Sequence, residues 1–227
     1  MTMKLIIGNK AYSSWSMRPW LVLKAFDLAF EEIQLNFPCE RGEGDFKQRV
    51  LEINPNGKVP ALLDRGRLVW DSLAICEYLA EQYPEQALLP RDAQQRAWAR
   101  SISAEMHSGF TDLRSLCGMN IRANLADVGA KLWQEHSGLR QDVARIEYIW
   151  AERPAADSFL CGEFSIADAF YAPVVTRFMS YALPVSAESQ QYMQRVMQHP
   201  AMQAWVQAAL QEPMWVNYLE PYQSQAK

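Results

Sequence analysis

Three hydroxyls crowd one short stretch of this chain, the run Ser13-Ser14-Trp15-Ser16-Met17-Arg18-Pro19. The run lies between a strand-like segment, residues 4–8, and a helical one, residues 17–28. A helix start carries free N–H groups and a partial positive charge, so hydroxyls placed there suit an anionic ligand. The same serines could act only as caps, with Pro19 tolerated in the first helical turn; Ser16 is the best placed of them as N-cap. Farther along, Asn54-Pro55-Asn56-Gly57-Lys58-Val59-Pro60-Ala61-Leu62 sets a proline directly before a short hydrophobic strand. Pro60 cannot donate to a ladder there, and an X-Pro bond is where a cis peptide is plausible. In Trp70-Asp71-Ser72-Leu73-Ala74-Ile75, Asp71 and Ser72 stand where a strand gives way to a helix. That helix start suits a ligand carboxylate, while the Asp71 carboxylate could hold an ammonium. Taken singly, these segments read as a turn before a strand and an N-cap. Their combination within one sheet-forming region is what points to a binding site.

The elements that must position these groups fall into two halves. Up to about residue 84, short strand-like runs alternate with helical ones; beyond it the pattern is helical throughout. Residues 4–8 read as a buried strand, and Ile33, Leu35 and Phe37 alternate with polar neighbours as a half-buried strand should. A helix is expected near residues 46–53. Residues 61–63 and 68–70 flank Asp64-Arg65-Gly66-Arg67 as a hairpin, and a helix burying Ile75, Tyr78 and Leu79 comes next. Pro84 and Pro90 bracket a linker. After it, helices are expected over 93–122, 126–151, 165–181, 189–197 and 201–211. The expected domains are therefore 1–84, of α/β character, and 92–227, all helical.

The 227 residues, 49% of them hydrophobic and 21% charged, suffice for an ordinary core. Lys+Arg number 22 against 26 Asp+Glu, so the net charge of −4 gives no whole-protein field that attracts nucleic acid. No run approaches the roughly 18 apolar residues that span a bilayer, and the first residues are too short an apolar stretch for a signal segment, so a cytoplasmic protein is expected. Cys39, Cys76, Cys117 and Cys161 form no Cys-x-x-Cys pair and read mainly as buried thiols.

Together, residues 54–62 and Asp71-Ser72 with Ala74-Ile75 resemble the N-terminal domain of the cytosolic glutathione transferases. The resemblance implies a thioredoxin-like α/β domain followed by an all-α domain, glutathione as co-substrate, no metal, and a homodimer. It also implies that Pro60 is cis, that the Val59 backbone pairs with the cysteinyl part of glutathione, and that Asp71 and Ser72 hold the γ-glutamyl end. Lys58, Val59, Pro60, Asp71 and Ser72 are thus the expected glutathione-binding residues. The serine run resembles the Ser-Ser-Cys-x-x-Arg pattern of the zeta class and, more loosely, the serine motif of the tau and phi classes. In those classes the catalytic serine lies five residues before an arginine, and counting back from Arg18 lands on Ser13, with Ser14 as a secondary donor. Trp15 stands where the zeta class has its cysteine. Thioredoxins keep Cys-x-x-Cys at this place; Ser-x-x-Ser here removes disulfide exchange by the chain's own cysteines.

The chemistry so implied is activation of the glutathione thiol as thiolate for attack on an electrophilic carbon. Alternatives on the same scaffold are a glutathione-dependent isomerase, like maleylacetoacetate isomerase, or a peroxidase. A non-catalytic binding protein of this fold is a further alternative, against which the joint presence of Ser13, Val59, Pro60, Asp71 and Ser72 argues. An oxidoreductase acting through Cys39 is disfavoured because Cys39 comes after the second strand and not the first. In the helical half, Gly162-Glu163-Phe164-Ser165-Ile166-Ala167-Asp168 resembles the capping element of this family, which implies that Ser165 and Asp168 cap a buried helix reciprocally. His107, Arg114 and Arg177 are expected in the second-substrate pocket, with Arg177 taking a carboxylate because it falls in an otherwise apolar stretch.

Overall fold

The computed structural model of the protein describes residues 2–222. Strand β1 (Met3–Ile7) is the centre of the first half because it is apolar on both sides. Successive strand residues point to opposite faces. Met3, Leu5 and Ile7 accordingly join one core with Met17, Leu21, Ile75 and Leu79 of helices α1 (Ser14–Ala25) and α3 (Ser72–Gln82). Ile6 faces the other way, toward Leu35 and Val50, the latter on α2 (Phe46–Ile53).

The sheet order is β2-β1-β3-β4. β2 (Phe30–Gln34) runs parallel to β1, with Ile33 opposite Ile6. β3 (Ala61–Asp64) is antiparallel to β1, and β4 (Arg67–Val69) completes the expected hairpin. Its turn residues Arg65 and Gly66 have φ of +50° and +79°, the mirror-image turn that matches strand twist. This half is a thioredoxin-like α/β domain, and the elements beyond α3 are helices.

Two of the long helices expected from periodicity are each broken. Residues 93–122 contain α4 (Ala93–Ser108) and α5 (Thr111–Leu116), separated by Gly109 and by Phe110 at φ +52°. A Cβ on residue 109 would lie 2.8 Å from the Glu105 carbonyl oxygen, so the chain can fold back there only with glycine, and it does so to bury Phe110. Residues 126–151 contain α6 (Ala126–Glu135) and α7 (Ser137–Ala151), hinged at the extended residue His136. α8 (Ile166–Ser180) is the core of the helical half: every residue but Met179 is buried. It packs against α1 and α4 and also against α9 (Ala187–Gln198), while α10 (Pro200–Leu210) packs against α1. α1 therefore belongs to both halves, and whatever its N-terminus carries is backed by helices that arrive over 150 residues later in the chain.

The α8 start shows the expected capping box. The buried Asp168 carboxylate accepts from Ser165 N at 2.9 Å, Ser165 Oγ at 3.1 Å, Leu160 N at 3.0 Å and the Tyr192 hydroxyl at 3.0 Å.

Candidate active site

Helix α1 begins three residues earlier than expected, which changes what each serine does. Ser13, not Ser16, occupies the N-cap position, yet its side chain makes no capping bond. A capping serine ordinarily contributes about 1 kcal/mol through such a bond. Here the Ser13 hydroxyl is turned instead to Ser16, 2.7 Å away between the two oxygens. Ser16 lies inside the helix, fully buried, and its Oγ accepts from Gly8 N at 3.2 Å. The expectation that Ser16 caps α1 is thus corrected: the first turn extends back over Ser14, so Ser16 faces the end of β1. Ser14 Oγ accepts from Arg177 Nη2 at 3.2 Å.

The loop from β1 to α1 is held from far away in sequence. The Glu212 carboxylate accepts from Lys10 N at 2.6 Å and Ala11 N at 3.1 Å, and Trp205 Nε1 donates to the Lys10 carbonyl at 3.1 Å. Lys10 Nζ pairs with Glu32. Tyr12, next to Ser13, spends its hydroxyl on Glu220 and Arg122, and burial first, then the Glu220 bond, pushes its pKa up to about 12.

Beside Ser13 and Ser14 opens a cleft of about 390 Å³ whose opposite wall includes Lys58 and Val59. The Val59-Pro60 peptide is cis. The turn before it is braced by Asn54 Nδ2 donating to the Lys58 carbonyl at 2.8 Å and by Lys58 N donating to Asn56 Oδ1 at 2.8 Å. Among the described residues Val59 makes no backbone hydrogen bond outside the sheet, and β3 starts only at Ala61. An extended ligand can therefore pair with Val59 as an added strand would.

Asp71 and Ser72, expected to bind glutathione, are not among the residues that line this cleft. Asp71 caps α3, its Oδ1 accepting from Leu73 N at 3.0 Å and Ala74 N at 3.3 Å, while Oδ2 is 3.0 Å from His107 Nε2. Ser72 is fully buried, its Oγ 3.4 Å from Arg18 Nη1. The link to the cleft is Trp15, which lines it and meets the His107 ring edge-on at 5.2 Å.

Three guanidiniums lie behind this wall. Arg18, 1% exposed, stacks on Trp15 at 4.3 Å and on Phe170 at 4.6 Å; Arg114 stacks on Trp15 at 4.7 Å. Arg177 donates to the Cys117 carbonyl at 2.9 Å and the Pro173 carbonyl at 3.2 Å, besides Ser14. Burial, then mutual repulsion, lowers the pKa of Arg18 to about 9 and of Arg177 to about 10, so both stay charged at neutral pH. Among the described residues none of the three has a carboxylate in salt-bridge range. Part of the charge is met by carbonyls at helix ends, Arg114 donating to His107 and Gly109 and Arg177 to Cys117. The remainder, with the α1 N-terminus, leaves the region around Ser13 and Ser14 positive and suited to an anion.

Two family models match the chain: glutathione S-transferase, N-terminal domain, over residues 12–82, and glutathione S-transferase, C-terminal domain, over residues 121–208. The chain belongs to the glutathione S-transferase family. A maleylacetoacetate isomerase from Pseudomonas aeruginosa is 31% identical over 179 residues, 74% of this chain and 82% of that protein. A probable maleylacetoacetate isomerase from Caenorhabditis elegans is 39% identical over 103 residues, which is 45% of each chain. In fold, a Burkholderia glutathione transferase homolog solved with bound glutathione superposes with a TM-score of 0.69 at 23% identity, covering 92% of this chain and 98% of that one.

Within this glutathione S-transferase, the residues expected in the second-substrate pocket do not line the cleft. His107 is turned to Asp71, Arg114 lies on Trp15, and Arg177 is buried beneath Ser14. Periodicity placed His107 and Arg114 on one helix and Arg177 on another; the break at Gly109 moves Arg114 to α5, and with the depth of α8 all three lie behind the wall. The cleft surface is made instead by Tyr12, Trp15, Phe37, Phe46, Met119 and Leu219, of which sequence reasoning singled out only Trp15, as the residue in place of the zeta-class cysteine. They come from five separate segments, so no local spacing could have marked them. Glu212 was likewise missed, since a carboxylate near the chain end carries no sign that it holds the serine loop.

Proposed function

We propose that this glutathione S-transferase binds glutathione in extended form along Val59, with its thiol at Ser13 and its γ-glutamyl ammonium at Asp71, and stabilises the thiol as thiolate for attack on an apolar, aromatic-faced electrophile. The observation that supports this most is the Ser13 hydroxyl, which forgoes its capping bond at a helix N-terminus bordering the cleft. A free thiol of pKa about 8.5 is mostly protonated at pH 7, so a hydroxyl donating to sulfur in a positive field shifts it toward the nucleophilic form. The proton goes to solvent, and the protein forms no covalent bond. Tyr12 cannot take this role, its hydroxyl being held by Glu220 and Arg122. Nor do the cysteines offer a thiolate at the cleft: burial pushes Cys117 and Cys161 up to about 12 and Cys76 higher still, and Cys39 does not line it.

Ser13→Ala tests the assignment. A hydrogen bond to a charged partner contributes roughly 1.5 to 3 kcal/mol, so the bound thiol's pKa should rise by about one to two units. Turnover at pH 7 should then fall about tenfold to a hundredfold while glutathione affinity changes little. Wild-type turnover in this variant would remove Ser13 from the mechanism.

The isomerase-named relatives favour a second reading, reversible addition of the thiolate to a double bond, and a panel of cis-dienoic acids beside aromatic halides and peroxides separates the two. We infer further that the protein is a cytoplasmic homodimer, as is usual for the family. Among the described residues no helix is long and apolar enough to cross a membrane. Light scattering should give about twice the 26.0 kDa of one chain, and a single-chain mass at micromolar concentration would refute the dimer.

A further inference from the structure

We propose that Ser16 is a positioning residue that turns the proton of Ser13 toward the glutathione sulfur. The inference rests on Ser13 as the thiol activator and adds a residue that acts only through it.

A hydroxyl has one proton to donate and two lone pairs to accept with. Between Ser13 Oγ and Ser16 Oγ, 2.7 Å apart, a single proton is shared, and which oxygen supplies it decides what Ser13 shows to the cleft. If Ser13 supplies it, only lone pairs remain to face an incoming sulfur, and these repel a thiolate. If Ser16 supplies it, Ser13 keeps its own proton for the ligand.

The surroundings of Ser16 favour the second arrangement once a thiolate is present. Ser16 is fully buried, so water does not compete for its proton. Among the described residues its Oγ has two hydrogen-bond partners, Gly8 N and Ser13 Oγ. Gly8 N–H can only donate, which fills one lone pair of Ser16 and leaves Ser13 as the acceptor for its proton. A serine inside a helix often bonds back to the carbonyl four residues earlier, and Ser16 makes no such bond. The N–H that begins the chain of donors is also fixed in place: a Cβ on Gly8 would lie 2.4 Å from the Phe37 ring, so this backbone passes directly under a residue of the cleft wall. The resulting order is Gly8 N–H to Ser16, Ser16 O–H to Ser13, Ser13 O–H to sulfur. Each donor polarises the next, which strengthens the last bond beyond what an isolated serine supplies. No covalent bond is made or broken along it.

The test is a pH titration of thiolate absorbance with glutathione bound, in the wild type, Ser13→Ala, Ser16→Ala and the double variant. Ser16→Ala should raise the bound thiol's pKa by about half a unit to one unit, less than Ser13→Ala, because Ser13 keeps its hydroxyl but loses its orientation. In the double variant the pKa should equal that of Ser13→Ala alone, since Ser16 has nothing left to act through. A merely structural role would not give this result: loss of a buried hydroxyl partner for Gly8 would lower the melting temperature and shift both backgrounds alike. Ser16→Thr, which keeps the hydroxyl, should restore the wild-type pKa. If Ser16→Ala does not fold, Ser16→Cys, with a weak donor of similar shape, carries the test and should shift the pKa in the same direction. A wild-type pKa in Ser16→Ala, or in Ser16→Cys where it stands in, or additive shifts in the double variant, would overturn the relay while leaving Ser13 as the activator. An unshifted pKa in Ser13→Ala with glutathione still bound would instead overturn the role of Ser13 on which it rests.

Discussion

Replacing Asp71 by alanine should weaken glutathione binding by roughly 2 to 4 kcal/mol, about thirtyfold to several hundredfold in affinity. The proposed ligand ammonium would lose its proposed charge partner. The side chain is 48% exposed, so solvent screening pulls the effect toward the lower end of that range. Alanine also removes the acceptor for Leu73 N and Ala74 N, and the lost cap should cost about 1 kcal/mol of stability. Asp71→Asn separates the two contributions. Its amide oxygen can keep the α3 cap while the negative charge is gone, so affinity should fall with the melting temperature nearly unchanged. Calorimetry with glutathione reads the first, thermal denaturation the second. Wild-type affinity in the asparagine variant would mean that the γ-glutamyl end is held elsewhere.

The largest effect on stability is expected far from the cleft, at Asp168. Its carboxylate is completely buried at the start of α8, and burial pushes its pKa up to about 6 against four donors that pull it down. It is therefore still ionised at pH 7, held by Leu160 N, Ser165 N, Ser165 Oγ and the Tyr192 hydroxyl. Asp168→Ala would strand all of these donors away from water. Loss of one partner from a buried, hydrogen-bonded charge network costs on the order of 3 to 5 kcal/mol. The exposed cap Asp92, which accepts from Gln95 N at 2.8 Å, provides the comparison, at about 1 kcal/mol for its alanine variant. Urea midpoints at an unchanged slope measure both. A change below about 1 kcal/mol for Asp168→Ala would show that the donors find water or other acceptors once the carboxylate is gone. Because α8 packs on α1 and its Arg177 reaches Ser14, partial loosening of this helix should also reduce activity before the protein unfolds.

Local chemistry wrote much of this protein directly into its sequence. Strand alternation at Leu5, Ile6 and Ile7, the turn at Arg65-Gly66, the Asp71 cap before Leu73 and Ala74, and the box from Ser165 to Asp168 are all decided within a few residues. The forces involved there, backbone sterics and short side-chain to backbone bonds, act over the same few residues; the buried β1 run, the turn and the Asp71 cap were readable from the residues themselves, and the Ser165–Asp168 box from its resemblance to the family's capping element. Helix ends were less legible. The break at Gly109-Phe110 comes from the need to bury Phe110, and the start of α1 at Ser14 instead of near Ser16 comes from packing against β1 and α8.

The contacts of individual side chains around the cleft are set only by the tertiary structure. Nothing near Ser16 in sequence says that its hydroxyl meets Gly8 N and Ser13 rather than its own helix start. Arg18, Arg114 and Arg177 come together from three helices, and only their convergence makes the cleft positive. His107 could be placed on α4 but not paired with Asp71, and the Glu212 carboxylate that holds Lys10 and Ala11 lies some two hundred residues from them in the chain. The sequence alone could fix the family motifs and the elements that carry them, because those depend on neighbours in the chain. Which hydroxyl donates, which charge is compensated and what lines the cleft depend on neighbours in space, because hydrogen bonds and desolvation act between groups a few ångströms apart wherever they stand in the sequence.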